Sequence, residues 1–236
     1  MPTHTLSTAA TENVDFITQA VGFIQNGGNF MYIILVVFAF GLAIALERTI
    51  YLTSIRSKNR KIWNELFPML SQGKFKQAME VAKSSDAAIA RILVYGLSRS
   101  TYARRHDEIE LAMEEGLMEV LPALEKRTPY LATLANIATL LGLLGTIFGL
   151  ISAFTAVASA DPAQKADLLS ASISVAMNTT AFGLIAAIPL LLFFTYLQSK
   201  TSQLVDSMEM ASVKFINIFR QAQNKAEANR EANSKV

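Results

Sequence analysis

The chain has 236 residues, 52% hydrophobic and 17% charged, with no cysteine and a formal net charge of +2. That balance, together with a mean hydropathy of +0.33, lies outside the range of soluble domains and points to a polytopic membrane protein. The missing cysteines exclude disulfide scaffolds, zinc knuckles, thiol catalysis and iron–sulfur clusters, and the small net charge gives no argument for nucleic-acid binding.

Three stretches, Phe16 to Leu46, Thr128 to Ala160 and Leu168 to Ser199, contain no Asp, Glu, Lys or Arg. Each exceeds the roughly 20 residues that a helix needs to cross the hydrocarbon core. In the first stretch Asn26, Gly27, Gly28 and Asn29 interrupt the apolar pattern, so the first span is placed at 30–46. Residues 1–29 precede it, with Val14, Ile17, Val21 and Ile24 on one side of an expected interfacial helix. The first residues lack a basic region followed by an apolar core, so no cleaved signal peptide is expected.

Residues 47–128 read as a helical domain. Apolar residues recur at helical spacing as Ile62, Leu66 and Leu70, then Phe75 and Met79, then Ile89, Leu93 and Leu97, and later Ile109, Met113 and Leu117. Pro122 and Pro129 are expected to mark bends or a helix restart. The second span covers 129–158, a short loop 159–168, and the third span 169–198. Both spans exceed what a bilayer requires, which implies tilt or extension into the cytoplasm. In 199–236, Leu204, Met208, Ala211, Phe215 and Ile218 step by 4, 3, 4 and 3, the seam of a coiled coil or of a helix packed on a neighbour. The final QAQNKAEANREANSKV lacks an apolar face and is expected to fray or be disordered. The fold class is therefore all-α.

Cationic loops stay on the cytoplasmic side. Residues 1–29 contain no Lys or Arg, residues 47–127 contain 14, the 158–168 loop contains Lys165 alone, and residues 198–236 contain six. The N-terminus and the short loop thus face outward, and the central domain and tail face the cytoplasm.

Nothing resembles an enzyme site. His4 and His106 have no partners at metal-binding or triad spacing, and GLLGTIFG, starting at Gly142, is not followed by the Gly-Lys-Ser/Thr of a phosphate loop. Its glycines suit close helix packing instead: Gly142, Gly145, Gly149 and Ala153 form one small-residue stripe, and Ser172, Ala176, Thr180, Gly183 and Ala187 another. The stripes and the 204–218 seam have too few internal partners in a three-span protomer, so a homo-oligomer is expected. Thr146 and Thr180 lie within the stripes, Asn178 and Thr179 beside them on rotated faces, and Thr139 two turns before Thr146. Polar groups inside spans mark ion or water paths when they line an interior, yet a threonine that bonds its own helix serves packing alone. The residues by themselves leave both readings open.

GLLGTIFGLISAF followed by ISVAMNTTAFGLIAAIP resembles the two-helix signature of the MotA/TolQ/ExbB proton-channel family. The three-span layout with the N-terminus outside resembles its ExbB/TolQ branch. The resemblance implies a non-enzymatic subunit of the bacterial inner membrane, a homopentamer around the spans of a dimeric ExbD-, TolR- or MotB-like partner. It implies that a partner aspartate carries the ion, H+ or Na+, with Thr146 and Thr180 facing it and no other cofactor. Asn178 and Thr179 join these as candidate ion-path residues, and Gly142, Gly145, Gly149, Ala176 and Gly183 as packing residues. The pattern departs from ExbB and TolQ at Val175, where those proteins carry a glutamate; MotA-type stators also lack it. A scaffold without ion conduction is the rival expectation, and a small-molecule permease is disfavoured by three spans without internal charge or inverted repeat.

Overall fold

The structure, a computed structural model, describes Gly22, residues 28–100 and residues 106–234, without the side chains of His106 and of residues from 226 on. His4 and the Val14, Ile17, Val21 and Ile24 face lie outside the described residues. Every regular element among those described is a helix: α1 (Asn29–Ser71), α2 (Phe75–Lys83), α3 (Ala88–Ser100), α4 (His106–Glu125), α5 (Thr128–Ser159) and α6 (Lys165–Ser234). Three of the helices are long and apolar enough to cross a membrane.

Local chemistry sets the helix ends. Gly28 takes a φ of +73°, open to a residue without Cβ, and its carbonyl accepts from Met31 N–H at 3.2 Å to start α1. Gly73, also at φ +73°, closes α1: Gly73 N–H donates to Leu70 O at 3.0 Å and Lys74 N–H to Met69 O at 3.0 Å, the paired bonds of a Schellman cap. Pro129 is the second residue of α5, where a missing N–H costs nothing. Pro122 lies inside α4, which continues to Glu125. The break therefore falls at Lys126 and at Arg127, whose φ is +67°.

The described residues pack as two units: those up to Leu46 with Thr128–Thr195, and Glu47–Arg127 with those from Tyr196 onward. In the first unit Gly41 takes the Leu190 side chain, and the Phe30 and Phe148 rings lie 5.3 Å apart. Much of its outer surface is large and apolar, with Val36, Phe40, Leu140, Phe154 and Leu192 each more than 60% exposed. Such a surface is stable against lipid or protein and not against water.

The second unit has a conventional core. Leu52, Leu66 and Leu70 of α1, Ile92 and Leu93 of α3, Ile109, Met113 and Leu124 of α4, and Met208 and Phe215 of α6 are buried. A Cβ on Gly96 would meet Met113 and Phe215, so this glycine lets α3 sit against both. The Phe75 and Phe219 rings are 5.5 Å apart. The α6 seam is thus filled within one chain, contrary to the expectation that it needs a second copy. Its last member also differs: Phe219 is buried and Ile218 only half-buried, because an untwisted helix advances at 3.6 residues per turn and drifts off a 3.5-residue repeat. The expectation of a frayed tail is likewise corrected, since α6 stays helical to Ser234. Its Ala, Gln, Lys, Glu and Arg are good helix formers, and they extend a helix already nucleated.

At the start of this unit Arg48, 3% exposed, donates to the carbonyls of Leu124 and Ala123, and its guanidinium carbon lies 4.8 Å from the Tyr51 ring centre. Neighbouring Glu47 pairs with Arg127 at 3.0 Å. These contacts tie α1 to the α4 end, where unfilled carbonyls concentrate negative charge.

Candidate functional site

In the first unit the two small-residue stripes face each other. A Cβ on Gly142 would lie 3.2 Å from Gly183 Cα and 3.3 Å from both Thr179 O and Thr180 Cα. One on Gly183 would lie 2.8 Å from Ala138 O and 2.9 Å from Gly142 Cα. Backbone meets backbone here, which only glycine permits. Gly145 faces the Thr179 methyl, and a Cβ on Gly149 would lie 2.7 Å from the Ala176 Cβ. The sequence reading gave these stripes too few internal partners; the structure pairs them with each other inside one protomer, so they are not its surplus surface.

This close approach brings two hydroxyls together. Thr180 Oγ1 donates across the helix pair to Gly142 O at 2.8 Å and lies 3.3 Å from Thr146 Oγ1. Thr146 Oγ1 donates to Leu143 O of its own helix at 2.6 Å. Both threonines are half-buried, so the pair sits at the edge of the helix contact. Thr179 is 2% exposed, with its hydroxyl on Val175 O at 3.0 Å. Thr139 bonds Ala135 O at 3.1 Å. Asn178 is half-buried one residue away, and Val175 is 36% exposed. Asn136, exposed on α5, is a further polar group within a span that the motif reading passed over; its polarity alone was the signal.

Chemically the pair is limited. No acid or base lies between Leu168 and Ser199, and a threonine hydroxyl donates one hydrogen bond and accepts others but does not release its proton at ordinary pH. Among the described residues no group of three or more His, Cys, Asp or Glu is placed to hold a metal ion. The arrangement can therefore orient water, a small cation or a carboxylate brought from outside the chain, and cannot by itself cycle a proton.

The family model for the MotA/TolQ/ExbB proton channel family matches residues 84–210, which include α4, α5 and the stripe-bearing part of α6. A protein of Methanothermobacter thermautotrophicus named as a homologue of the biopolymer transport protein ExbB is 27% identical over 84% of this chain and 69% of its own length. The Tol-Pal system protein TolQ of Haemophilus influenzae is 34% identical over 49% of this chain and 50% of its own. The biopolymer transport protein ExbB of Pseudomonas putida is 26% identical over 65% of this chain and 50% of its own.

Proposed function

The chain belongs to the MotA/TolQ/ExbB proton channel family, and from that premise we propose that it is the multi-span subunit of an ion-driven motor in the bacterial inner membrane. Its partner is an ExbD-, TolR- or MotB-like single-span protein whose intramembrane aspartate supplies the carboxylate this chain lacks. The work is to turn ion flow into force on the cell envelope, with no covalent catalysis. Each charge crossing yields about 2.3 kcal/mol per 100 mV, so repeated crossings sustain directed motion.

One observation carries the reading: two threonine hydroxyls held 3.3 Å apart at the edge of the α5–α6 contact, in a span region without a charge. Both protons now rest on backbone carbonyls, Gly142 O and Leu143 O. Each oxygen retains a lone pair, so a protonated aspartate can donate to it. An ionised aspartate can instead take a hydroxyl proton as a hydrogen bond once the threonine turns from its carbonyl, whose other lone pair stays available to the helix. The pair thus meets both charge states of the carboxylate. Thr179, buried against Gly145, and Asn178 stand beside the pair as further candidate ion-path residues.

Outward N-terminus, cytoplasmic central domain and tail follow from the distribution of Lys and Arg. A cysteine at Ala163 is expected to react with an impermeant thiol reagent in cells with a permeabilised outer membrane, and one at Ser57 is not. The reverse pattern overturns the topology.

The function is tested by ion flux into liposomes holding the chain with and without its single-span partner, under a proton or a sodium gradient. The partner should be required, and replacing sodium by potassium at constant pH should stop flux only if sodium is the ion. The rival scaffold reading draws on the fact that both hydroxyls are already bonded to carbonyls; equal, background-level flux with and without partner favours it.

A further inference from the structure

Within the second unit, α1 and α6 border a groove made of two adjoining cavities of about 130 and 370 Å3 that share Arg56, Leu204 and Ser207. Lys200 lines the first, and Arg60 and Lys214 line the second. Among the described residues no carboxylate lines either, although the chain carries 19 acidic residues. Four cations therefore share one groove without an acid to neutralise them there.

Sequence spacing explains the concentration. Arg56, Asn59, Arg60 and Trp63 fall at i, i+3, i+4 and i+7 of α1, one face of a helix, and Lys200, Gln203, Ser207 and Lys214 follow the same rule on α6. The Lys200 ammonium lies 3.4 Å from Thr53 Oγ1 and 4.7 Å over the Tyr196 ring, which fixes its position. A second observation is independent of charge. Asn59, 5% exposed, lines the larger cavity; its Oδ1 accepts from Ile89 N–H at 3.2 Å, while its Nδ2 donor has no hydrogen-bond partner among the described residues. A buried amide donor left without an acceptor is costly, and a ligand oxygen would remove that cost.

We propose that this groove binds a phosphate-bearing anion. Two guanidiniums and two ammoniums suit the several oxygens and multiple charge of a phosphate better than a single carboxylate, and Asn59 and Ser207 add neutral polar groups. Position defines two sources. Lys200 stands two residues beyond the 169–198 span and Thr53 seven beyond the 30–46 span, so at about 1.5 Å per residue one end lies at headgroup depth. Lys214, about 20 Å further along α6 by the same rise, lies where a soluble anion would arrive. The site does not depend on the ion-flow reading above.

Trp63 is the chain's single tryptophan and lines the groove, so its emission reports occupancy. The full-length protein is placed in nanodiscs of phosphatidylcholine and titrated with inorganic pyrophosphate against sodium chloride of equal ionic strength. In a second series phosphatidylglycerol replaces part of the phosphatidylcholine, and native mass spectrometry counts retained molecules of either ligand. The expected result is saturable binding in at least one series, weakened about tenfold or more by Arg56→Gln with Arg60→Gln, at exposed positions where melting should not change. Asn59→Asp keeps the acceptor for Ile89 N–H and should weaken binding further. Binding of phosphatidylglycerol alone assigns a lipid headgroup, of pyrophosphate alone a soluble anion, and of both a shared site. Absence of saturable binding by fluorescence and by mass spectrometry overturns the proposal, as does binding that the double arginine variant leaves unchanged.

Discussion

At the scale of single residues, the two stripe threonines are not equivalent. Thr180 bonds across to Gly142 O, whereas Thr146 bonds within its own helix. Thr180→Val should therefore cost helix-pair stability, on the order of 0.6 kcal/mol for an interhelical bond of this kind, while Thr146→Val should leave stability nearly unchanged. Both should cut partner-dependent ion flux about tenfold or more, and Thr→Ser at either position should retain much of it. Unfolding in detergent and liposome flux check the two halves; normal flux in both valine variants would make these threonines packing residues. Arg48 is a residue of a different kind. In sequence Arg48 is a cation just past a span; the structure buries it on carbonyls 75 and 76 positions away. Burial, its largest influence, lowers the guanidinium pKa, yet arginine stays charged throughout the usable pH range. Arg48→Leu should thus destabilise the second unit by about 2 kcal/mol at every pH tested, seen in thermal unfolding and in faster amide exchange over residues 120–127.

At the scale of helices, what each glycine meets ranks the α5–α6 contact. Gly183 faces Ala138 O and Gly142 Cα, backbone that cannot turn aside, while Gly41 of α1 faces the Leu190 side chain, which can change rotamer. Gly183→Ala should then cost about 1–3 kcal/mol as an overpacked contact, and Gly41→Ala clearly less. Denaturant titration of the two variants in mild detergent checks the order, and equal losses would refute the backbone-contact argument. The same helices show what the sequence made legible. Charge-free stretches marked the spans because lipid excludes charge, and a four- and three-residue rhythm marked the stripes because 3.6 residues make a turn. Periodicity gives the face of a helix and not the neighbour it meets. Gly142 and Gly183 were each named as packing residues, but not as one contact joining positions 41 apart; the resemblance set Thr146 and Thr180 toward one aspartate, but not 3.3 Å from each other. The choice of Phe219 over Ile218 turned on helix twist, a tenth of a residue per turn, which five positions cannot resolve. In sequence Asn59 is one polar residue between Lys58 and Arg60. Only the cavity beside it and the bond to Ile89 N–H set it apart.

At the scale of the whole molecule, the internal pairing of the stripes and of the α6 seam changes where assembly must come from. A protomer whose glycines and seam are already filled still exposes Val36, Phe40, Leu140, Phe154 and Leu192 within its apolar spans, so in the proposed oligomer such bulky side chains are the ones open to contacts between copies. Gly145→Leu would then act first on the protomer, since its side chain has to displace Thr179, and loss of the oligomer would follow loss of the fold. We expect the full chain in mild detergent to form a homopentamer and a bitopic partner to add two copies without changing that number. Native mass spectrometry distinguishes five chains from one. A stable monomer would remove the enclosed path that the proposed ion flow needs, because one protomer leaves the Thr146–Thr180 pair at an open edge. With the pentamer present, flux should remain at background until the partner is added, since no acid of this chain lies between Leu168 and Ser199. Changing the partner's intramembrane Asp to Asn should return flux to that background while leaving the assembled mass intact. Rapid flux through the chain alone would show that the carboxylate is not needed and that the hydroxyl pair conducts by another route.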